Sequence, residues 1–329
     1  MSGSSKKIAI IGAGQLGSRH LQGLTKINQA IDITVIEPNP DALNLAKNRY
    51  EEMPVNPLVR SVSYVSSLKS ISQDLDLAII ATNANVRRKV IENLLGKTQV
   101  KYLILEKVVF QSIRDFEEVI QFLEEKCVKT WVNCARRITP FFLKLREKTI
   151  KAGKVQVIVK GRKWGMASTT IHMLDLLAFL TGQTEICVDG TRLDHKIYKS
   201  NRGGFLELGG KLLAQTVRGD ILELTDERDK GKLFSKVIIK FDGQNIEVNQ
   251  SSGYFRRYLQ HPEDAKKKPY HMPLQSEITA KLAEQILDFG NSDLTTLDES
   301  YLLHRPMLDA FNEHLSKIYK KIITTCPIT

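Results

Sequence analysis

Cysteine is scarce in this chain of 329 residues: the four present, Cys127, Cys134, Cys187 and Cys326, stand apart with no Cys-x-x-Cys spacing. That excludes a zinc knuckle and a small disulfide framework, and it makes reduced thiols the expectation. Long apolar runs are missing as well. A membrane-spanning helix needs roughly 20 consecutive apolar residues, and the best stretch, residues 103–110, is broken by Glu106 and Lys107. The sequence Met1-Ser2-Gly3-Ser4-Ser5-Lys6-Lys7 runs straight into a short apolar strand pattern, without the apolar segment and cleavage site of a secretory signal. A cytoplasmic protein with no membrane partner is expected. Acidic residues are outnumbered, 37 against 48 basic ones, giving a net charge of +11. Such a field attracts anions: phosphorylated cofactors, acidic sugars or nucleic acid. No RNP-type aromatic motif or zinc finger accompanies the charge, so Arg256-Arg257 and Lys266-Lys267-Lys268 read as solvated surface and no nucleic-acid partner is expected.

What is present suits a two-domain globular protein. Hydrophobic residues make up 42% of the chain, enough for a sizeable core, and the length is about twice a domain of roughly 150 residues. The first third alternates β-branched apolar runs (7–11, 33–36, 77–81, 102–105, 129–132) with helical patterns (15–26, 86–95, 113–125). Alternation of this kind predicts a doubly wound parallel sheet, an α/β Rossmann arrangement spanning residues 1–133. From Cys134 the grammar changes. Helical patterns at 140–152 and 171–180 flank a strand at 155–160, and the β-rich stretch 186–248 is punctuated by glycine pairs and by Arg218-Gly219-Asp220 and Asp242-Gly243, both read as hairpin turns. Residues 251–273 read as an irregular basic excursion, followed by helices at 274–289 and 297–320. Residues 134–329 are therefore expected to form an α+β domain with a large, mainly antiparallel open sheet, for substrate binding and self-association.

Gly12-Ala13-Gly14-Gln15-Leu16-Gly17 follows the first strand and opens a helix, the context in which a GxGxxG pattern carries chemistry. Gly12 permits the tight turn, Gly14 lets backbone approach a pyrophosphate, and Gly17 allows close packing of helix on strand, while the helix start offers free N–H groups to the anion. Glu37 ends the second strand 20 residues beyond Gly17, where a carboxylate accepts hydrogen bonds from an adenosine ribose. A 2′-phosphate beside it would be repelled, so NAD is expected over NADP. The alternative is a purely structural turn with a solvated Glu37. Hydride transfer to or from an alcohol carbon also needs a group that handles the oxygen's proton. Lys107 ends a strand, where ligands of open α/β sheets bind; its alternative is a surface ion pair. His172 and Asp175 stand three apart in one helix, as an acid/base pair or as buried core polar groups. Thr82, Asn83 and Asn85 either contact the cofactor or cap the helix that follows.

Four motifs resemble the Gfo/Idh/MocA oxidoreductases, the family of glucose-fructose oxidoreductase, inositol dehydrogenase and rhizopine catabolism proteins. They are the glycine turn extended through Gly17-Ser18-Arg19-His20; Ile80-Ala81-Thr82-Asn83, similar to an AT-P-N loop; Glu106-Lys107-Val108, similar to EKP; and Thr170-Ile171-His172-Met173-Leu174-Asp175, similar to GxHxxD and preceded by Arg136-Arg137-Ile138-Thr139-Pro140. The resemblance implies an NAD(P)-dependent enzyme acting on a sugar, cyclitol or nucleotide-sugar-like substrate, with a non-catalytic dinucleotide-binding regulator or scaffold as the alternative. It implies Lys107 and His172 as catalytic residues. Gly12, Gly14, Gln15, Leu16, Gly17, Glu37, Thr82, Asn83, Asn85, Glu106 and Lys107 would bind cofactor, and Lys107, Arg136, Trp164, Ser168, His172 and Asp175 substrate. An acidic group on the substrate would meet Arg136, Arg162 or Lys163. A homodimer or homotetramer and no metal are implied. Three positions depart from the pattern: Val108 replaces the EKP proline, Arg87 a histidine, and Ser168 the carboxylate of DxGxH.

Overall fold

The computed structural model describes residues 5–229 and 231–329. Its elements run β1 (Lys6–Ile11), α1 (Gly17–Leu24), β2 (Ile31–Ile36), α2 (Pro40–Glu51), β3 (Val59–Val65), β4 (Leu75–Ile80), α3 (Ala84–Leu95), β5 (Val100–Leu105), α4 (Ile113–Glu125), β6 (Lys129–Val132), α5 (Pro140–Thr149), β7 (Val155–Arg162), α6 (Met166–Thr181), β8 (Ile186–Asp189), β9 (Tyr198–Lys199), β10 (Leu206–Glu207), β11 (Gly210–Thr216), β12 (Ile221–Asp226), β13 (Phe234–Phe241), β14 (Gln244–Asn249), β15 (Tyr254–Tyr258), β16 (Lys268–Pro269), α7 (Gln275–Phe289), β17 (Thr295–Thr296) and α8 (Leu297–Tyr319). They form two compact units.

Unit one holds a sheet in the order β17-β6-β5-β4-β1-β2-β3, parallel throughout except for the short β17 at its edge. Its central strands read IAII, LAII and LIL because helices cover both faces and no polar side is needed; Ile8, Ile10, Leu77, Ile79, Leu103 and Ile104 are sealed from solvent. The strand order reverses between β1 and β4, and in such sheets the ligand crevice opens at the carboxyl ends of those strands.

Unit two holds an eight-stranded sheet in the order β16-β15-β14-β13-β7-β12-β11-β8, antiparallel except where β12 runs parallel to β7. One face is covered by α5 and α6, and the strands alternate buried with part-exposed residues, as a sheet with one solvated side requires. Asp242 and Gly243 both take positive φ, 45° and 72°, which matches the right-handed twist of the β13–β14 hairpin.

Two elements escape the sequence patterns, and two expectations are corrected. Strand β3 and helix α2 carry weak local signals, since β3 is a polar edge strand and α2 buries only Ala46. Residues 251–273 are not wholly irregular: β15 and β16 extend the sheet, their basic side chains masking the strand pattern. The division of the chain also differs from a single cut after residue 133. Unit one comprises Met1–Phe110, Arg114–Asn133 and Pro273–Leu297, and unit two the rest. Helix α7 belongs with α1, so closely that a Cβ at Gly23 would stand 2.7 Å from Thr279 Cβ. Among the described residues no helix is long and apolar enough to cross a membrane.

Candidate functional site

In unit one, a crevice of about 760 Å³ opens at the ends of β1, β2 and β4, lined by Gly12, Gly14, Glu37, Leu68, Thr82 and Asn83 among others. The glycines divide their work as the turn chemistry predicts. A Cβ at Gly12, where φ is +88°, would lie 2.8 Å from the Thr82 nitrogen, and one at Gly17 would fall 1.8 Å from the Gly12 oxygen. A Cβ at Gly14 would meet nothing within 4 Å, so the space above that backbone is open. Glu37 is fixed by its own surroundings, Oε2 accepting the Ala13 N–H and Oε1 the Asn39 N–H, each at 2.9 Å. Thr82 Oγ1 is buried without a hydrogen-bond partner, and Asn83, although it stands at the start of α3, caps nothing with its side chain. The capping alternative therefore leaves both groups unused, whereas a ligand's hydroxyls and amide would satisfy them. Glycine turn, open approach at Gly14, fixed carboxylate and orphan hydroxyl together fit a dinucleotide. Leu16 is half-buried at the helix start; Gln15 is exposed with Oε1 held by Arg49 at 2.7 Å, and Asn85 is exposed outside the crevice lining.

Glu106 does not face that crevice. It is buried at the end of β5, accepting from His20 Nε2 at 2.9 Å and from Asn133 Nδ2 at 2.5 Å. Burial opposes its ionisation, but these hydrogen bonds, the His20 charge and neighbouring Lys107 hold the carboxyl below its ordinary range. His20 Nδ1 reaches Thr279 Oγ1 at 3.1 Å, and Asn133 reaches Gln275 at 2.8 Å, so α1, β5, β6 and α7 are tied at one point. Lys107, half-buried, follows directly, and its peptide bond to Val108 is cis. Arg87 closes the other side of this segment. Its buried guanidinium donates to the carbonyls of Thr82, Val108 and Val109. It thus ties the Thr82 loop to the Lys107 loop.

In unit two, α6 carries Ser168 and His172 one turn apart, both part-exposed. Asp175 is not available to a substrate: it is fully buried and receives Arg137 through Nη2 at 2.7 Å and Nε at 3.1 Å, with Glu299 on the same guanidinium at 2.8 Å. Burial works against the Arg137 charge, and the two carboxylates more than offset it, raising its pKa. Trp164 spends its indole N–H on the Thr225 carbonyl at 2.9 Å, a packing role. Arg162 lies against the Phe234 ring, and Lys163 is exposed. Arg136 is different. It is 9% exposed, its one hydrogen bond among the described residues goes to Gln250 Oε1 at 3.3 Å, and Nε, Nη1 and Gln250 Nε2 are buried without partners. Burial pushes its pKa down, and among the described residues no ion pair compensates.

Ser168, where the resemblance places an acid, meets one brought from elsewhere. Glu207 of β10 accepts from Ser168 Oγ at 2.7 Å and from the Ala167 N–H at 3.0 Å. Asp226 caps the adjoining Met166 N–H at 3.4 Å and pairs with Arg228 at 3.3 Å. Burial raises the Glu207 pKa, and nearby Asp226 adds to the rise against the hydrogen bonds and the Arg228 charge. Sequence reasoning missed Glu207, because it lies 39 residues from Ser168 with no periodic link. The structural parts played by His20 and Arg87 were missed too, although His20 closes the extended glycine motif.

The chain resembles known proteins at the level of fold. Its structure matches UDP-N-acetylglucosamine 3-dehydrogenase GnnA from Acidithiobacillus ferrooxidans with a TM-score of 0.66 at 14% identity, over 94% of this chain and 97% of that one. It matches a super-repressor mutant of Gal80p from Saccharomyces cerevisiae at 0.71 and 14%, over 95% and 97%. A Gfo/Idh/MocA family oxidoreductase from Vibrio cholerae matches at 0.67 and 18%, over 96% and 100%. No curated protein matches the sequence. Residues 6–134 match the family described as "Oxidoreductase family, NAD-binding Rossmann fold". These residues carry the glycine crevice and the Glu106-Lys107 segment, and over them the chain is similar to the Gfo/Idh/MocA oxidoreductases.

Proposed function

We propose that the protein is an NAD-dependent dehydrogenase or reductase that moves a hydride to or from a secondary alcohol or ketone of a sugar, cyclitol or nucleotide-sugar-like substrate. The observation that carries this reading is Lys107, set at the carboxyl end of β5 by the buried Glu106–His20–Asn133 network and braced by Arg87. A site that only stored a dinucleotide would need no such scaffold behind a lysine. NAD, when bound, supplies the hydride acceptor or donor, and Gly12, Gly14, Glu37, Thr82 and Asn83 would hold it. Glu37 lines the crevice where a ribose would lie, which favours NAD over its 2′-phosphorylated form. Lys107 engages the reacting oxygen, and His172 takes or returns its proton. Glu207, through Ser168, supplies the carboxylate that position 168 lacks.

Arg136 sets the substrate's charge. A buried guanidinium with one used donor out of five is costly unless an anion joins it, so the reading favours a substrate bearing a carboxylate or phosphate. A panel of acidic sugars, their neutral counterparts and nucleotide sugars, followed at the reduced-nicotinamide absorbance, tests all of this. Turnover with NAD is expected, faster for the acidic member of each pair. Lys107→Met is expected to lower kcat by about 10²–10⁴-fold, the usual worth of a positioned acid or base, with NAD affinity unchanged. Saturable NAD binding without turnover on any member would instead favour a dinucleotide-binding regulator or scaffold.

A further inference from the structure

Unit two carries a groove of about 570 Å³ between α5 and the outer strands of its sheet, within the size range of small-molecule sites. Five cations line it, Lys144, Lys148, Arg257, Lys266 and Lys268, and its lining contains no acidic side chain. The arrangement follows from the fold. Lys144 and Lys148 stand four apart on α5 and so share a face. Phe255 and Arg257 stand two apart on β15 and so point one way from the sheet, and Lys266 and Lys268 line the groove at the entry to β16. Register then aligns them, Phe255 opposite Lys268 and Ile246 opposite Arg257.

Apolar groups underlie the charge. Leu145 and Ile246 are buried, and Phe255 and Phe141 are half-buried; Phe141 packs edge-on against Phe255 at 5.0 Å and Tyr270 at 5.1 Å between ring centroids. None of the five cations forms an ion pair among the described residues. Their neighbour Arg256, on the opposite face of β15, is paired with Glu247 at 2.9 Å. Charges that repel around one depression, above an aromatic floor, are complemented by a ligand with two or more negative groups on a flat apolar body. Lysine ammonium groups suit phosphate as point-charge donors.

We infer that this groove is a second ligand site, taking an organic polyphosphate with a ring body, of which a nucleoside diphosphate is the class that best fits both charge and floor. The proposal does not depend on the redox reading, because its test uses no turnover. Uridine diphosphate, inorganic pyrophosphate and uridine are titrated calorimetrically at low salt into the full chain, with NAD saturating so that the glycine crevice is occupied. Uridine diphosphate is expected to bind saturably, at least tenfold more tightly than pyrophosphate, and uridine not measurably. Lys148→Glu with Arg257→Glu is expected to weaken the diphosphate at least tenfold at an unchanged melting temperature, since both side chains are exposed. If that pair disturbs folding, Lys148→Gln with Arg257→Gln replaces it, with a threefold or greater loss expected. No saturable binding, or binding that survives these substitutions, overturns the site. Equal affinity for pyrophosphate and uridine diphosphate overturns its nucleoside half.

Discussion

Glu207 sets two physical demands against each other. The first turn of α6 favours negative charge through its unpaired N–H groups, and Glu207 accepts one of them from Ala167. Burial at 5% exposure opposes that charge and leaves the carboxyl with a raised pKa. A carboxyl raised in the folded state favours folding fully only below its unfolded pKa. As pH climbs from there through the folded value, the unfolded chain gives up its proton first and stability falls. Glu207→Gln removes this titration and keeps a carbonyl acceptor for Ala167. Its melting temperature at pH 7 is therefore expected to match or exceed the native one, and the fall of stability as pH rises above the ordinary glutamate value is expected to shrink. If the carboxylate serves catalysis through Ser168, the same variant loses turnover while gaining stability. A variant both less stable at pH 7 and fully active would make Glu207 a plain helix cap. Gly12, Gly14, Gly17, Glu37 and Lys107 sit within local motifs, so the sequence could nominate them for the roles proposed above. Glu207, Arg87 and the partners of His20 act across distant segments, and no local pattern announces such contacts. Asp175, read from the sequence either as part of an acid/base pair or as a buried polar group, is buried and paired with Arg137.

The glycine turn yields a sharper test than the strands around it. Gly17→Ala places a methyl 1.8 Å from a backbone oxygen, so the turn or α1 must move, at a cost of roughly 1–3 kcal/mol or more by the usual scale of overpacking. Gly14→Ala places its methyl in open space, so stability is expected to change by no more than about 1 kcal/mol. If a pyrophosphate approaches that backbone, the Gly14 variant is the one that folds normally and loses NAD affinity. Thermal melts paired with NAD titrations separate the two, and an unaltered affinity in Gly14→Ala would move the cofactor away from the turn. Elements with strong periodicity were readable to the residue: α4 and β6 begin and end where their patterns do. Strand β3 was not, because at the sheet edge its alternating serines need no apolar face, and β15 was hidden by its two arginines.

Over the whole molecule the +11 charge draws anionic ligands from a distance at low salt, but the architecture depends on a quieter feature. Unit one is assembled from three stretches of chain, and α7, encoded after most of unit two, completes it. Leu282 and Ile286 of α7 are 2% and 0% exposed. Uncovering such side chains costs roughly 1.5–3 kcal/mol each, a large share of the 5–15 kcal/mol that stabilises a typical domain. Loss of α7 also strips Thr279 from His20 and Gln275 from Asn133, exposing the buried Glu106 network that sets Lys107. A fragment of residues 1–133, the natural cut by sequence, is therefore expected to lack a cooperative melt and to bind NAD weakly or not at all. Rejoining Pro273–Leu297 to that fragment through a flexible linker is expected to restore both. Circular dichroism melts and NAD titration of the two proteins decide the matter. A stable, NAD-binding 1–133 fragment would show that α7 decorates unit one rather than completing it.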